Sequence, residues 1–181
     1  MSLDKLLENV DVVAITGQSK AVVTGITSKH HAVKEGYAWI CYKGIHVDGH
    51  QFINLAIEKG ARVIIGDQPP PKDLPSNLTY VQTSNGRIAL SHIAANWFLQ
   101  PAKQLRLIGI TGTNGKTSTA YFTESIFKAA GIKTALLGTI DYHFGKFILP
   151  AKTTTPDQIR LHNLFLRIAN AKIKHVIMEA S

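Results

Sequence analysis

Lys116 and Thr117 follow two glycines, Gly112 and Gly115, in the run Thr111-Gly112-Thr113-Asn114-Gly115-Lys116-Thr117-Ser118-Thr119. An ammonium, several hydroxyls and unhindered backbone N–H groups in one short stretch suit a polyphosphate and its cation. The N–H groups converge on the anion only where a Cβ does not obstruct them. A following helix adds the positive end of its dipole, and the lysine and hydroxyl reach the terminal phosphates and a magnesium ion. The common loop of this kind has a glycine five residues before Gly115, where this chain has Ile110. The spacing is therefore a compact variant, and the flanks decide whether it is a site or an incidental turn. Residues 105–110 read as a strand, and 116–130 read as an amphipathic helix closed by Gly131. Both flanks are right for a phosphate loop, which makes Lys116 the first candidate for a catalytic contact.

Two further groups could join it. Glu179 closes the apolar run 175–178, at the carboxyl end of a strand, where ligands bind in open α/β sheets. Position alone leaves it either a metal ligand or a solvated strand-end acid. Thr153, Thr154 and Thr155 precede Pro156-Asp157, a helix start with Thr155 as the expected cap and Pro156 at the first helical position. The eight histidines show no metal-ligand spacing, and the adjacent His30 and His31 cannot both face one ion, so no zinc site is expected.

The elements that must position these groups fall into two textures. Before Gln100-Pro101, short apolar runs read as strands at 12–16, 22–27, 37–41, 62–65 and 78–82. Helices fit at 49–59, stopping at Gly60, and after a capping Ser84. After the boundary, strands at 105–110, 133–137 and 175–178 alternate with helices, which implies a parallel sheet with right-handed crossovers. The fold class is α/β, with a small first domain over 1–100 and the start of a parallel-sheet domain over 101–181. Three parallel strands would leave long open edges. The expectation is therefore a fragment of a longer protein, or a domain that further chain completes.

The bulk numbers restrict the rest. The chain has 181 residues, a hydrophobic fraction of 45% and a formal charge of +8. That composition is globular, and the charge favours anionic partners without choosing among them. Lysines and arginines are scattered rather than blocked, so a nucleic-acid tail is not supported. No apolar run nears the roughly 20 residues of a membrane span, and no secretory signal is visible at the N-terminus. The single cysteine, Cys41, suits a cytoplasmic protein and reads as a small buried hydrophobe. A dinucleotide oxidoreductase is disfavoured, because no Gly-x-Gly-x-x-Gly follows a strand.

Four segments together resemble one family. The Thr-Gly-Thr-Asn-Gly-Lys-Thr loop is similar to that of the Mur ligase superfamily of ATP-dependent amide ligases. Lys43-Gly44-Ile45-His46-Val47-Asp48-Gly49-His50, Thr153-Thr154-Thr155-Pro156-Asp157 and His175-Val176-Ile177-Met178-Glu179-Ala180-Ser181 resemble, in order, segments of the branch that adds the third residue of the peptidoglycan stem peptide, the MurE type. The resemblance implies ATP and Mg2+ as cofactors. It implies an acid–amino-acid ligase joining meso-diaminopimelate or L-lysine to UDP-N-acetylmuramoyl-L-alanyl-D-glutamate through an acyl phosphate. It places ATP on Gly112, Thr113, Asn114, Gly115, Lys116, Thr117 and Ser118, and magnesium on Thr117 and Glu179, with Lys116 and Glu179 catalytic. The UDP-substrate falls to Ile26, Ser28, Ile45, His46 and Val47 of the first domain and to Thr153, Thr154 and Thr155. Thr27 and Lys29 stand where the family usually has an acid and an arginine. A cytoplasmic monomer acting on small molecules, with no nucleic acid or membrane, is implied, and so is inactivity of these 181 residues alone as a ligase. The rival readings are another amide ligase of the superfamily, of the D-Ala-D-Ala-adding or cyanophycin-synthetase type, and a truncated non-catalytic nucleotide-binding module.

Overall fold

The computed structural model describes residues 1–44 and 47–181. The chain forms two compact units, Met1–Leu99 and Gln100–Ser181.

The first unit is built on five strands, β1 (Val12–Thr16), β2 (Gly25–Thr27), β3 (Tyr37–Ile40), β4 (Val63–Gly66) and β5 (Thr79–Thr83). Their order is β1-β5-β4-β3-β2, parallel from β2 to β5, with β1 antiparallel at one edge. β3 and β4 read as unbroken apolar runs because both of their faces are covered. Trp39, Ile64 and Tyr80 point into one core with Ile53 and Ala56, while Ala38, Ile40, Val63, Ile65 and Val81 are also fully or almost fully buried. The helices are α1 (Leu3–Leu6), α2 (Ile53–Glu58) and α3 (Gly86–Trp97).

Three boundaries move from expectation. The strand expected over 22–27 shortens to β2, because Val22 makes only an isolated bridge to Ser2. The helix expected over 49–59 opens with a 3-10 turn, Gly49–Phe52, before α2. Its end is as expected, with Gly60 in the left-handed region at φ +92°. Asn85, not Ser84, caps α3: its side-chain oxygen accepts from the N–H groups of Arg87 and Ile88 at 3.0 Å.

The second unit holds β6 (Arg106–Ile110), α4 (Lys116–Ala129), β7 (Thr134–Leu137), β8 (Asp141–Phe144), β9 (Phe147–Pro150), α5 (Gln158–Asn170) and β10 (His175–Glu179). β10 lies between β6 and β7, parallel to both. Its alternate residues serve two layers. Val176 packs with α5 residues Leu164, Phe165 and Ile168, and Ile177 packs with Ala120 of α4. The hairpin β8–β9 extends the sheet antiparallel beyond β7 and was not expected. Its signal was in the sequence, since Tyr142, Phe144, Phe147 and Leu149 alternate around Gly145-Lys146. One helix boundary also changes. Asp157 caps α5, accepting from the Arg160 N–H at 2.9 Å, and Pro156 precedes the cap. Thr155 is committed elsewhere.

Two features of the packing are testable. His143 of β8 lies between two carboxylates, with Nδ1 2.5 Å from Asp141 and Nε2 2.7 Å from Glu124 of α4. Neither carboxylate can donate, so the ring satisfies both only as an imidazolium. Partial burial opposes that charge, but the hydrogen bonds that the ring donates to Asp141 and Glu124 outweigh it, and the pKa is raised above the usual histidine value. A raised folded pKa means that the contribution is complete below the unfolded value and is lost as pH rises through the folded one. Thermal unfolding of H143Q should therefore lie below wild type under mildly acidic conditions, with the gap closing towards alkaline pH; a gap constant with pH would refute the assignment. Cys41 is buried, and its Sγ donates to Ile65 O at 3.5 Å. Burial pushes its thiol up, helped by Asp67 and Asp48. Thiol reagents should label Cys41 only after denaturation.

Candidate functional site

The phosphate loop joins β6 to α4, and its shape depends on its glycines. Gly112 and Gly115 have φ of +143° and +76°, which L side chains rarely adopt. Gly115 caps α4, so the first N–H groups of that helix open towards the loop. Lys116 Nζ donates to Gly112 O at 2.7 Å and lies 3.4 Å from Thr113 O, which holds the ammonium over the loop.

Glu179 faces the loop from the end of β10, and it is fully buried. Of the two readings its position allowed, the solvated acid is ruled out. A buried carboxylate must be matched by donors, and three are present. Thr139 N donates to Oε1 at 2.9 Å. Thr117 Oγ1 and Thr139 Oγ1 each donate to Oε2 at 3.0 Å. Gly138 makes room for this: a Cβ there would lie 2.5 Å from Glu179 Oε1.

The threonine loop closes the same side. Thr154 Oγ1 is 3.1 Å from Thr139 Oγ1. Thr155 Oγ1 donates to Glu179 O at 3.0 Å and accepts from Ser181 N at 3.0 Å, which is why it does not cap α5. Thr153 is anchored through its carbonyl by the Tyr142 hydroxyl. A cleft of about 290 Å³ is lined by residues 113–118 with Thr139, Thr154, Glu179 and Ser181. Sequence reasoning missed Thr139. The signal that could have found it is its place just past the carboxyl end of β7, the same rule that singled out Glu179. A larger cavity, of about 600 Å³, lies at the amino-terminal ends of β7 and β10, away from the loop.

The cleft fits a nucleotide with a magnesium ion. Oxygen donors from Thr117 and Glu179 lie together, as a hard cation requires, beside a lysine and a glycine-shaped anion cradle. Lys116 and residues 112–115 with Ser118 would hold the phosphates.

In the first unit, Ser28 and Val47 line a cavity of about 440 Å³ together with Lys29, His30, Trp39 and Phe52. His30 stacks on Phe52 with ring centroids 4.2 Å apart. Ile26 does not line this cavity; it is buried in β2, where a packing role suffices. Ile45 and His46 lie outside the described residues. Thr27, standing in place of an acid, makes the turn with its hydroxyl, which accepts from Lys29 N at 3.1 Å. Asp48 caps the turn that begins at Gly49: it accepts from His50 N at 3.0 Å, from the His50 ring at 2.6 Å and from Gln68 at 2.9 Å. These bonds, the His50 ring first, pull its pKa down to about 2.

Residues 22–98 match the Mur ligase family, catalytic domain, and residues 110–181 match the Mur ligase middle domain. The chain belongs to the Mur ligase family. Among its relatives, a UDP-N-acetylmuramoyl-L-alanyl-D-glutamate–2,6-diaminopimelate ligase of Clostridium perfringens is 37% identical over 181 residues, covering 100% of this chain and 37% of the relative. The enzyme of the same name from Geobacter sulfurreducens is 36% identical, covering 100% of this chain and 35% of the relative. A solved structure of a ligase of that name superposes with a TM-score of 0.75 at 19% identity, over 100% of this chain and 36% of that one. The chain thus spans little more than a third of the length of these relatives. Among the described residues, no helix is long and apolar enough to cross a membrane.

Replacing Asp48 with alanine should cost about 0.5–2 kcal/mol, as for other lost caps. The contribution belongs to a depressed carboxylate, so it is present above pH 3.8 and is lost as pH falls through about 2. Chemical denaturation of D48A and wild type at neutral and acid pH would check both the size and the sign.

Proposed function

We propose that this chain carries the UDP-substrate-binding domain (1–100) and the front of the ATP-binding domain (101–181) of an ATP-dependent ligase of peptidoglycan synthesis. Its substrate is UDP-N-acetylmuramoyl-L-alanyl-D-glutamate, and it adds the third residue, a diamino acid. The single observation that carries this reading is the contact of Thr117 with the buried Glu179 beside the glycine cradle. The names of the relatives favour diaminopimelate over lysine.

The chemistry is phosphoryl transfer followed by amide formation. The γ-carboxylate of the D-glutamyl residue attacks the γ-phosphorus of ATP, ADP leaves, and an acyl phosphate forms. The amine of the diamino acid then attacks the acyl carbon. The carbon–oxygen bond to phosphate breaks, and the amine loses a proton. Magnesium, when bound, neutralises charge on the phosphates. Lys116 exchanges its loop carbonyls for phosphate oxygens and follows the negative charge as the phosphoryl group moves. Thr117 and Glu179 would hold the cation, and the backbone of residues 112–115 would fix the phosphates in line. The loop of Thr153, Thr154 and Thr155 faces the peptidyl substrate, with the Thr155 hydroxyl holding the loop in place, and Ser28 and Val47 serve the uridine end in the first domain. The reaction consumes soluble small molecules in the cytoplasm.

The test is phosphate release from ATP by the full reading frame, given the UDP-dipeptide with either diaminopimelate or lysine. Release should require the UDP substrate and one of the two amino acids. K116A should lower the rate by at least about 10²-fold, the scale set by removing one donor to developing charge. No release with either amino acid would refute the assignment.

A further inference from the structure

Glu179 has two oxygens and three donors, and two of the donors come from one residue. Thr139 gives its backbone N–H to Oε1 and its hydroxyl to Oε2, so it grips both ends of the carboxylate. Thr117 touches only Oε2. Thr139 sits at this distance because Gly138, just before it, leaves the carboxylate its space.

A hydroxyl has one proton to give, and a carboxylate only accepts. Thr139 Oγ1 is placed to donate both to Glu179 Oε2 at 3.0 Å and to Thr154 Oγ1 at 3.1 Å, so its single proton is shared between the two. The Thr139 hydroxyl is thus the point at which the threonine loop meets the carboxylate.

We propose that Thr139 is a positioning residue: it fixes the plane of the Glu179 carboxylate for a nucleotide-bound divalent cation and links the threonine loop, through Thr154, to that centre. The proposal rests on the nucleotide-and-cation reading of the loop given above. Within that reading the two partners of Oε2 behave differently. Thr117 turns its oxygen to the cation and gives up its bond to Glu179. Thr139 keeps both of its bonds, so the carboxylate stays aimed while the coordination forms. Hydroxyls that only filled space could be replaced by methyl groups without consequence.

The test is nucleotide affinity, measured by calorimetry on the full reading frame, with ATP plus magnesium and with ATP plus EDTA. The proteins are wild type, T139V, T139S, T154V and the T139V/T154V double variant. Valine keeps the shape of threonine and leaves the backbone N–H in place. T139V should weaken binding in magnesium roughly tenfold or more, the scale of a hydrogen bond to a charged group, and leave binding in EDTA unchanged. T139S should restore the magnesium-dependent affinity. T154V should have a smaller effect that disappears on top of T139V, because the link through Thr139 is already cut. Equal loss in magnesium and EDTA, no loss in T139V, failure of T139S to restore affinity, or full additivity of the double variant would overturn the proposal alone. Wild type that binds ATP no better with magnesium than without would overturn the reading of the site, and this proposal with it.

Discussion

A carboxylate with no exposed surface lies at the end of β10, between β6 and β7, and the site is arranged around it. Burying such a group without partners would cost several kcal/mol. The surrounding loops supply the partners: Thr117 from the start of α4, and Thr139 from the turn after β7. The main-chain carbonyl of the same residue is taken by Thr155. One residue thus ties together the phosphate loop, the turn after β7 and the threonine loop. Those three segments are far apart in the sequence, and they are brought together because β10 inserts between β6 and β7.

That insertion depends on ordinary packing. β10 has an apolar residue for each layer, with α5 gathered on one side and α4 on the other. The hairpin beyond β7 is bound to both layers. Arg167 of α5 stacks over Phe147, 4.0 Å from the ring centroid, and His143 reaches Glu124 of α4. Apolar burial supplies the energy, and polar contacts at the periphery set the register. The first unit divides the work in the same way. Its inner strands β3 and β4 are apolar on both faces, while Asp48, His50 and Gln68 organise the turn at the carboxyl ends of its strands.

Much of this was legible in the sequence because it is written in short-range chemistry. A phosphate loop needs glycines, a lysine and a hydroxyl in one stretch, so Gly112 to Ser118 stood out as candidates. Glu179 was legible as a candidate, but its burial was not, because burial depends on neighbours distant in the chain. Thr139 was missed for the same reason: a lone threonine has no signature until the carboxylate it serves is in place. Thr155 and Ser84 were read as caps from a local rule. The rule lost at Thr155 to a long-range bond with Glu179, and at Ser84 to the next residue, Asn85, whose oxygen reaches two N–H groups. Ile26 was assigned to ligand by resemblance alone, and its burial in the sheet gives it a simpler role.

The threonine loop is held in three consecutive residues: Thr153 by Tyr142, Thr154 by Thr139 and Thr155 by Glu179 and Ser181. No slack remains between the end of β9 and the cap of α5. The tip of the hairpin is different. Gly145 has a φ of +55°, and both it and Lys146 are exposed. Chain-length change is therefore tolerable at 145–146, where an extra residue lengthens a ribbon, and costly at 153–157, where it would disturb four hydrogen bonds at once. In this unit, insertions and tags belong at the hairpin tip.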